Sequence, residues 1–138
     1  DGLAEPLADL IDDLDAHDRL IVGSFSDTRI TEIQEVTERR VPVSCGPTLA
    51  RLWVLASRVG RGAGGDIAAL QLPARVRGVR VVDEKLVAAA HASDLHVHVW
   101  TVNQTSEMHR FLDMGVDGLI TDRPDRLRDV MIERELWN

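Results

Sequence analysis

The sequence predicts an α/β chain built on parallel strands, and three observations predict it. Five short apolar or β-branched runs recur at about residues 20–25, 41–45, 67–72, 96–102 and 118–121, with segments of helical period between them. The run at 96–102 is bulky on both faces. Val97, Val99 and Thr101 fall on one side, His96, His98 and Trp100 on the other, which suits a strand covered twice. From there the chain reads strand, helix, strand, helix, a βαβ unit.

In order, Leu3, Leu7, Leu10, Ile11 and Leu14 recur at helical spacing and predict an amphipathic helix over 3–16. Asp9, Asp12, Asp13 and Asp15 go round its solvated side. After the first strand, Asp27 is the predicted cap of a helix that turns Ile30, Ile33 and Val36 inward. Gly46-Pro47-Thr48 is a turn and cap before an apolar helix carrying Leu49, Leu52, Trp53, Leu55, Ala56 and Val59. Residues 60–65 hold four glycines. They follow a helix and lack the Lys-Ser/Thr ending of a phosphate loop, so they read as a surface loop.

Residues 74–82 read as a loop with Arg75, Arg77 and Arg80. Asp83 caps a helix with Leu86, Val87 and Ala90 inward, and His91 reads as a packed helix histidine. Asn103 and Thr105 can cap the helix that buries Met108, Phe111 and Leu112, and Gly115 ends it. Asp122 can cap the last helix, with Arg123-Pro124 in its first turn and Leu127, Val130, Met131 and Leu136 inside.

Composition narrows the class. Hydrophobic residues make up 44% and charged residues 28% of 138, which describes one soluble globular domain, expected to be cytoplasmic. No apolar run approaches the ~20 residues of a membrane span, and no leader pattern opens the chain. A net charge of −7 argues against nucleic acid or an anionic membrane as the main partner. Cys45 is the single cysteine, so no intrachain disulfide forms, and its apolar neighbours make it a buried hydrophobe.

Two separated motifs carry more. Trp100-Thr101-Val102-Asn103, about a dozen residues, then Gly115-Val116-Asp117-Gly118-Leu119-Ile120-Thr121-Asp122-Arg123-Pro124 resembles the carboxyl-terminal signature of glycerophosphodiester phosphodiesterases. Ser24-Phe25, residues 69–73 and residues 86–91 resemble the same family more weakly. Periodicity leaves open a doubly wound sheet or a barrel. The resemblance implies a partial TIM (βα)8 barrel, these being the last five of eight strands. The chain starts at Asp1 with a helix that belongs to something before it. Residues 1–138 are therefore expected to be the carboxyl-terminal part of one barrel domain, completed by an amino-terminal segment or by oligomerisation.

The resemblance further implies hydrolysis of a small-molecule glycerophosphodiester to an alcohol and glycerol 3-phosphate, in glycerol and lipid metabolism. A divalent cation, Mg²⁺ or Ca²⁺, would assist it. The family's His-Arg-Gly motif, its Glu-x-Asp metal pair, a second histidine and a further metal-binding glutamate belong to the first three strands. Catalytic residues and metal ligands are thus expected outside this chain. What remains at the strands' carboxyl ends is pocket wall: Phe25, Gln71 and Trp100 as substrate-binding residues, with Ser24, Asn103 and Asp122 nearby. Two other readings stand beside this one. His96-x-His98 has the spacing of a metal pair in amidohydrolase-like barrels. Alternatively, the chain is a non-catalytic fragment or oligomerising scaffold.

Overall fold

The computed structural model describes residues 2–137. Helices α1 (Ala4–Asp13), α2 (Asp27–Val36) and α3 (Pro47–Ser57) precede strand β1 (Ala69–Pro73) and a small hairpin, β2 (Arg75–Val76) and β3 (Val79–Arg80). Then come α4 (Glu84–His91), β4 (His96–Trp100), α5 (Thr105–Asp113), β5 (Gly118–Leu119) and α6 (Pro124–Glu133).

Side-chain alternation along β4 organises the packing. Val97 and Val99 are fully buried, together with Leu70 and Leu72 of β1, under Leu86 and Ala90 of α4 and Met108 and Phe111 of α5. Each such side chain contributes roughly 1.5–3 kcal/mol by leaving water. β1 pairs with β4 in parallel, Gln71 beside His98 and Leu72 beside Val99. β4 pairs in parallel with β5, His98 beside Gly118.

The two strands predicted at 20–25 and 41–45 are shorter than expected. Each reduces to single parallel bridges, Val22 with Val43 and Ser44 with Ala69. Gly23 and Pro42 interrupt these runs, and Pro42 has no N–H to give a ladder. The hydrogen bonds are nevertheless regular: Ser44 N donates to Val22 O at 2.8 Å, and Cys45 N to Ala69 O at 3.0 Å. Neighbours therefore run in chain order: the Val22 segment, the Val43–Ser44 segment, β1, β4, β5. A doubly wound sheet would reverse its order at a switch point. This succession never reverses, so it is a sector of a parallel (βα) barrel.

Several local expectations change. Residues 74–82 form a hairpin rather than a plain loop, because Arg77 and Gly78 adopt φ of 50° and 82°, the two left-handed residues of a type I′ turn. Asp27 does not cap α2. Ser26 does, accepting from Arg29 N at 3.4 Å. Asp27 reaches instead to the start of α3, where Gly46 has no side chain to offer, and accepts from Thr48 N at 3.2 Å and Thr48 Oγ1 at 2.7 Å. Asp83 caps α4 as expected, accepting from Leu86 N at 3.0 Å, and pairs with Arg58. The glycine-rich loop wraps the buried indole of Trp53, whose Nε1 donates to Gly64 O at 2.9 Å.

The predicted inner faces of two helices are only partly covered. On α1, Ala8 and Ile11 are buried while Leu3, Leu7, Leu10 and Leu14 are exposed. On α3, Trp53 and Ser57 are buried while Leu52, Leu55 and Val59 are exposed. α1 packs on α2 and sets Ile11 in a small cluster with Ala16 and Val41, which leaves the leucine stripe uncovered. α3 packs on β1 and α4 through the buried Trp53, with Leu49, Ala50 and Val54 half-buried against the same core. On α6, Val130 is buried, Leu127 and Met131 are half-buried, and Leu136 is exposed beyond the helix end. No helix among the described residues is long and apolar enough to cross a membrane.

A methyl group at Gly46 would lie 2.2 Å from Asp27 Oδ1. Gly46→Ala is expected to break the Asp27 cap on α3 and cost about 1–2 kcal/mol. A lowered urea midpoint in the polypeptide that carries this chain would record that loss; an unchanged midpoint would show that the cap contributes nothing.

Candidate active site

The uncovered face of the sheet is the site. On it, side chains from successive strands stand side by side, and their sizes are matched. Gln71 and His98 occupy paired positions, with Gln71 Nε2 donating to His98 Nδ1 at 3.3 Å. On either flank a glycine makes room. A Cβ at Gly23 would meet Gln71 Oε1 at 2.8 Å and Ser44 Oγ at 2.9 Å, and one at Gly118 would meet His98 Cδ2 at 2.8 Å. Burial pushes the pKa of His98 down, helped by His96 and opposed by Asp117. A neutral ring suits an Nδ1 that accepts, which puts its proton on Nε2.

At the carboxyl ends of the strands, Trp100 stands two residues beyond His98. Its ring meets Phe25 edge-on, with centroids 5.6 Å apart and planes at 77°. Phe25 is 83% exposed. Phe25, Gln71 and Trp100 line one cleft of about 940 Å³, which Ser24 and Cys45 also border. All three residues expected to bind substrate therefore share one mouth. Burial raises the pKa of the Cys45 thiol, which keeps it protonated and inert.

Asn103 and Asp122 are not in that cleft, nor are they helix caps. Gln104 and Arg123 occupy the cap positions. Asn103 instead clasps two loops. Its Nδ2 donates to Asp122 Oδ2 at 3.0 Å, while its Oδ1 accepts from Thr121 Oγ1 and Asp122 N, both at 2.9 Å. Arg126 closes the clasp by donating to Asn103 O at 3.0 Å.

The opposite end of the sheet is held by Asp117. It accepts from Val97 N at 2.7 Å and pairs with His91 at 2.9 Å and His96 at 3.6 Å. His91 is thus an exposed hydrogen-bond partner of Asp117, not the packed histidine expected, because it ends α4 directly over the β5 entry. The role of Asp117 had no local signal in sequence, since its partners lie about twenty residues away. Burial raises its carboxyl pKa, but the Val97 amide and the two histidines outweigh that and hold it below the ordinary carboxylate value.

His96 and His98 do not converge. Their rings stack 6.3 Å apart, His96 turned towards Asp117 and His98 towards Gln71. The described residues do not fit a divalent cation, for no three His, Cys, Asp or Glu side chains gather in a group that could hold one. This face can bind and orient a ligand. It offers an aromatic corner, a carboxamide whose nitrogen is already engaged, and a neutral histidine behind it.

A parallel sector with its strands in chain order and helices between them belongs to the class of (βα)8 barrels. The model of the glycerophosphoryl diester phosphodiesterase family matches residues 3–126, and the chain belongs to that family. A relative from Mycobacterium tuberculosis (strain ATCC 25618 / H37Rv), named probable glycerophosphodiester phosphodiesterase 2, is 40% identical over 139 residues. The match covers 97% of this chain and 53% of the relative, so the chain spans about half of that relative's length. In fold, it matches a glycerophosphodiester phosphodiesterase from Parabacteroides distasonis ATCC 8503 with a TM-score of 0.69 at 19% identity, over 96% of this chain and 51% of that one. A structure from Silicibacter pomeroyi DSS-3, named for the same activity, gives 0.73 at 24% identity, over 99% and 46%. Family membership displaces the amidohydrolase-like reading of His96 and His98.

Two outcomes follow from this geometry. Asn103→Ala leaves the Thr121 hydroxyl and the Asp122 amide without their acceptor. It is expected to cost about 2 kcal/mol, read from the denaturation midpoint. The second concerns acid. The folded-state pKa of Asp117 lies below the ordinary 3.8, so its contribution is fully present above about pH 3.8 and is lost as pH falls through the folded value. Asp117→Asn should flatten the pH dependence of stability in that acid range, and an unaltered acid limb would contradict the assignment.

Proposed function

We propose that residues 1–138 are the carboxyl-terminal part of one glycerophosphodiester phosphodiesterase barrel and form one wall of its active-site mouth. The supporting observation is that Phe25, Gln71 and Trp100, from three separate strand ends, border one cleft in a chain of this family. The reaction is hydrolysis of a small-molecule glycerophosphodiester to an alcohol and glycerol 3-phosphate.

In this reading Trp100 and Phe25 pack against the glycerol or the leaving alcohol and exclude water on that side. Gln71 spends its amide nitrogen on His98, which fixes the carboxamide and leaves Oε1 to accept from a substrate hydroxyl. Glycines 23 and 118 keep the Gln71–His98 layer flat enough for that approach. The groups that move protons, and the ligands of a divalent cation (Mg²⁺ or Ca²⁺), are assigned to barrel strands outside this sequence. A fuller barrel would also cover the open sheet edge and the leucines of α1. The partner in that role is an amino-terminal segment or a second copy.

The experiment is hydrolysis of glycerophosphocholine by the full polypeptide that carries these residues, with and without chelator. Turnover that chelator abolishes is expected. Trp100→Ala and Gln71→Leu should each lower kcat/KM by roughly 10- to 100-fold, the loss of one or two polar or aromatic contacts. No turnover would defeat the proposal and leave a non-catalytic scaffold as the better reading; turnover indifferent to chelator would defeat the part assigned to a divalent cation.

A further inference from the structure

Charge is unevenly spread along the chain. Residues 39–82 hold eight arginines and one acid, Asp66, out of 16 basic and 23 acidic residues in the whole. The net charge of −7 is therefore an average that hides a basic sector, which includes α3, the glycine-rich loop and the β2–β3 hairpin. Part of that charge is neutralised within the chain: Arg39 pairs with Asp66, Arg40 with Asp12, Arg58 with Asp83 and Arg75 with Glu107. The other four, Arg51, Arg61, Arg77 and Arg80, are exposed. Among the described residues none of them has a carboxylate within ion-pair distance.

Apolar side chains stand among these cations. Along α3 and its end, Arg51, Leu52, Leu55, Arg58 and Val59 fall within about a third of the helix circumference, turned away from the buried Trp53. On the hairpin, Val76 is paired with Val79 and Arg75 with Arg80, so one face of the ribbon is apolar and the other basic. Leu52, Leu55, Val59, Val76 and Val79 are each between 50% and 73% exposed. Arg58 Nη2 donates to Arg80 O at 3.5 Å, which sets the end of α3 beside the hairpin and joins the two into one surface. Strands outside this sequence leave that surface open. A barrel helix lies between the helices that follow the two neighbouring strands. For α3, which follows the Val43–Ser44 segment, those are α2 and α4, both in this chain. The exposed leucines of α1 differ, since α1 precedes the segment at the edge of the sheet.

We infer that this surface docks on a bilayer that carries anionic lipid. The exposed valines and leucines enter the boundary between headgroups and acyl chains, and the arginines reach back to the phosphates. Other occupants fit less well. Nucleic acid would neutralise the arginines but leave the five aliphatic side chains in water, and neither α3 nor the hairpin exposes an aromatic ring on which a base could stack. A second copy docked patch to patch would set arginine against arginine. The inference is independent of the reaction the barrel carries out, because it is read from the outer face of α3 and the hairpin alone.

The test is sedimentation of the full polypeptide with vesicles of phosphatidylcholine containing roughly 30% phosphatidylglycerol, and with vesicles of phosphatidylcholine alone. Binding is expected on the anionic vesicles, about tenfold or more weaker on the neutral ones, and weakened by salt. Arg77→Ala with Arg80→Ala should lower partitioning about 10- to 30-fold. Leu52→Ser with Val79→Ser, at exposed positions and with no change of charge, should lower it about 5- to 20-fold. Arg128→Ala removes an exposed arginine from α6, outside the surface, and should leave partitioning unchanged. No binding to anionic vesicles overturns the inference. So does equal binding to both vesicle types, or binding that survives either double variant. Tighter binding to a DNA duplex than to the vesicles, or a self-associated form that the double variants dissociate, overturns it in favour of that partner.

Discussion

The constraint on which the rest depends is the register between β1 and β4. Side chains alternate along a strand, so a slip of one residue would exchange its two faces. In the register present, Leu70, Leu72, Val97 and Val99 all go under the helices and are sealed there. Gln71, His98 and Trp100 go to the open face as a consequence. The apolar layer sets the register, and the polar layer inherits its geometry from it. Burial of four large aliphatic side chains outweighs the single 3.3 Å hydrogen bond between Gln71 and His98, so packing decides and that bond follows.

The two ends of the sheet are secured by different chemistry. At the amino end, one carboxylate, Asp117, gathers the Val97 amide and two histidines, joining β4, β5 and the end of α4. At the carboxyl end, Asn103 gathers Thr121 and Asp122 with no direct part in the cleft. The motif residues that make the family recognisable in this chain thus divide by role. Trp100 faces the mouth, while Asn103, Thr121 and Asp122 hold the loops that carry it. This division is ordinary for barrels, where loops do chemistry only if something rigid positions them.

Exposure is uneven in an informative way. The helix-facing side of the sheet is closed, whereas its inner side, the far side of α1 and the outer line of α3 are not. Helical period alone placed Leu3, Leu7, Leu10 and Leu14 on one stripe. Period says which residues share a face, but whether that face is covered depends on a neighbour. The same holds for Leu52, Leu55 and Val59, which lie on the side of α3 and its end turned away from the buried Trp53.

By itself the sequence determined the alternation of strands and helices, the two faces of β4, the Asp83 cap and, through two spaced motifs, the family. These are local or short-range signals: period, cap chemistry, residue identity at fixed spacing. Only the tertiary structure decided that Asp27 caps α3 rather than α2 and that Asp122 pairs with Asn103 instead of capping α6. It also decided that the 74–82 stretch closes as a hairpin and that His91 reaches Asp117. The physical reason is common to the long-range pairs among them. A short polar side chain has several partners of similar strength within reach, each worth only about 1 kcal/mol net, and distant strands choose among them by where they bring the competing donor.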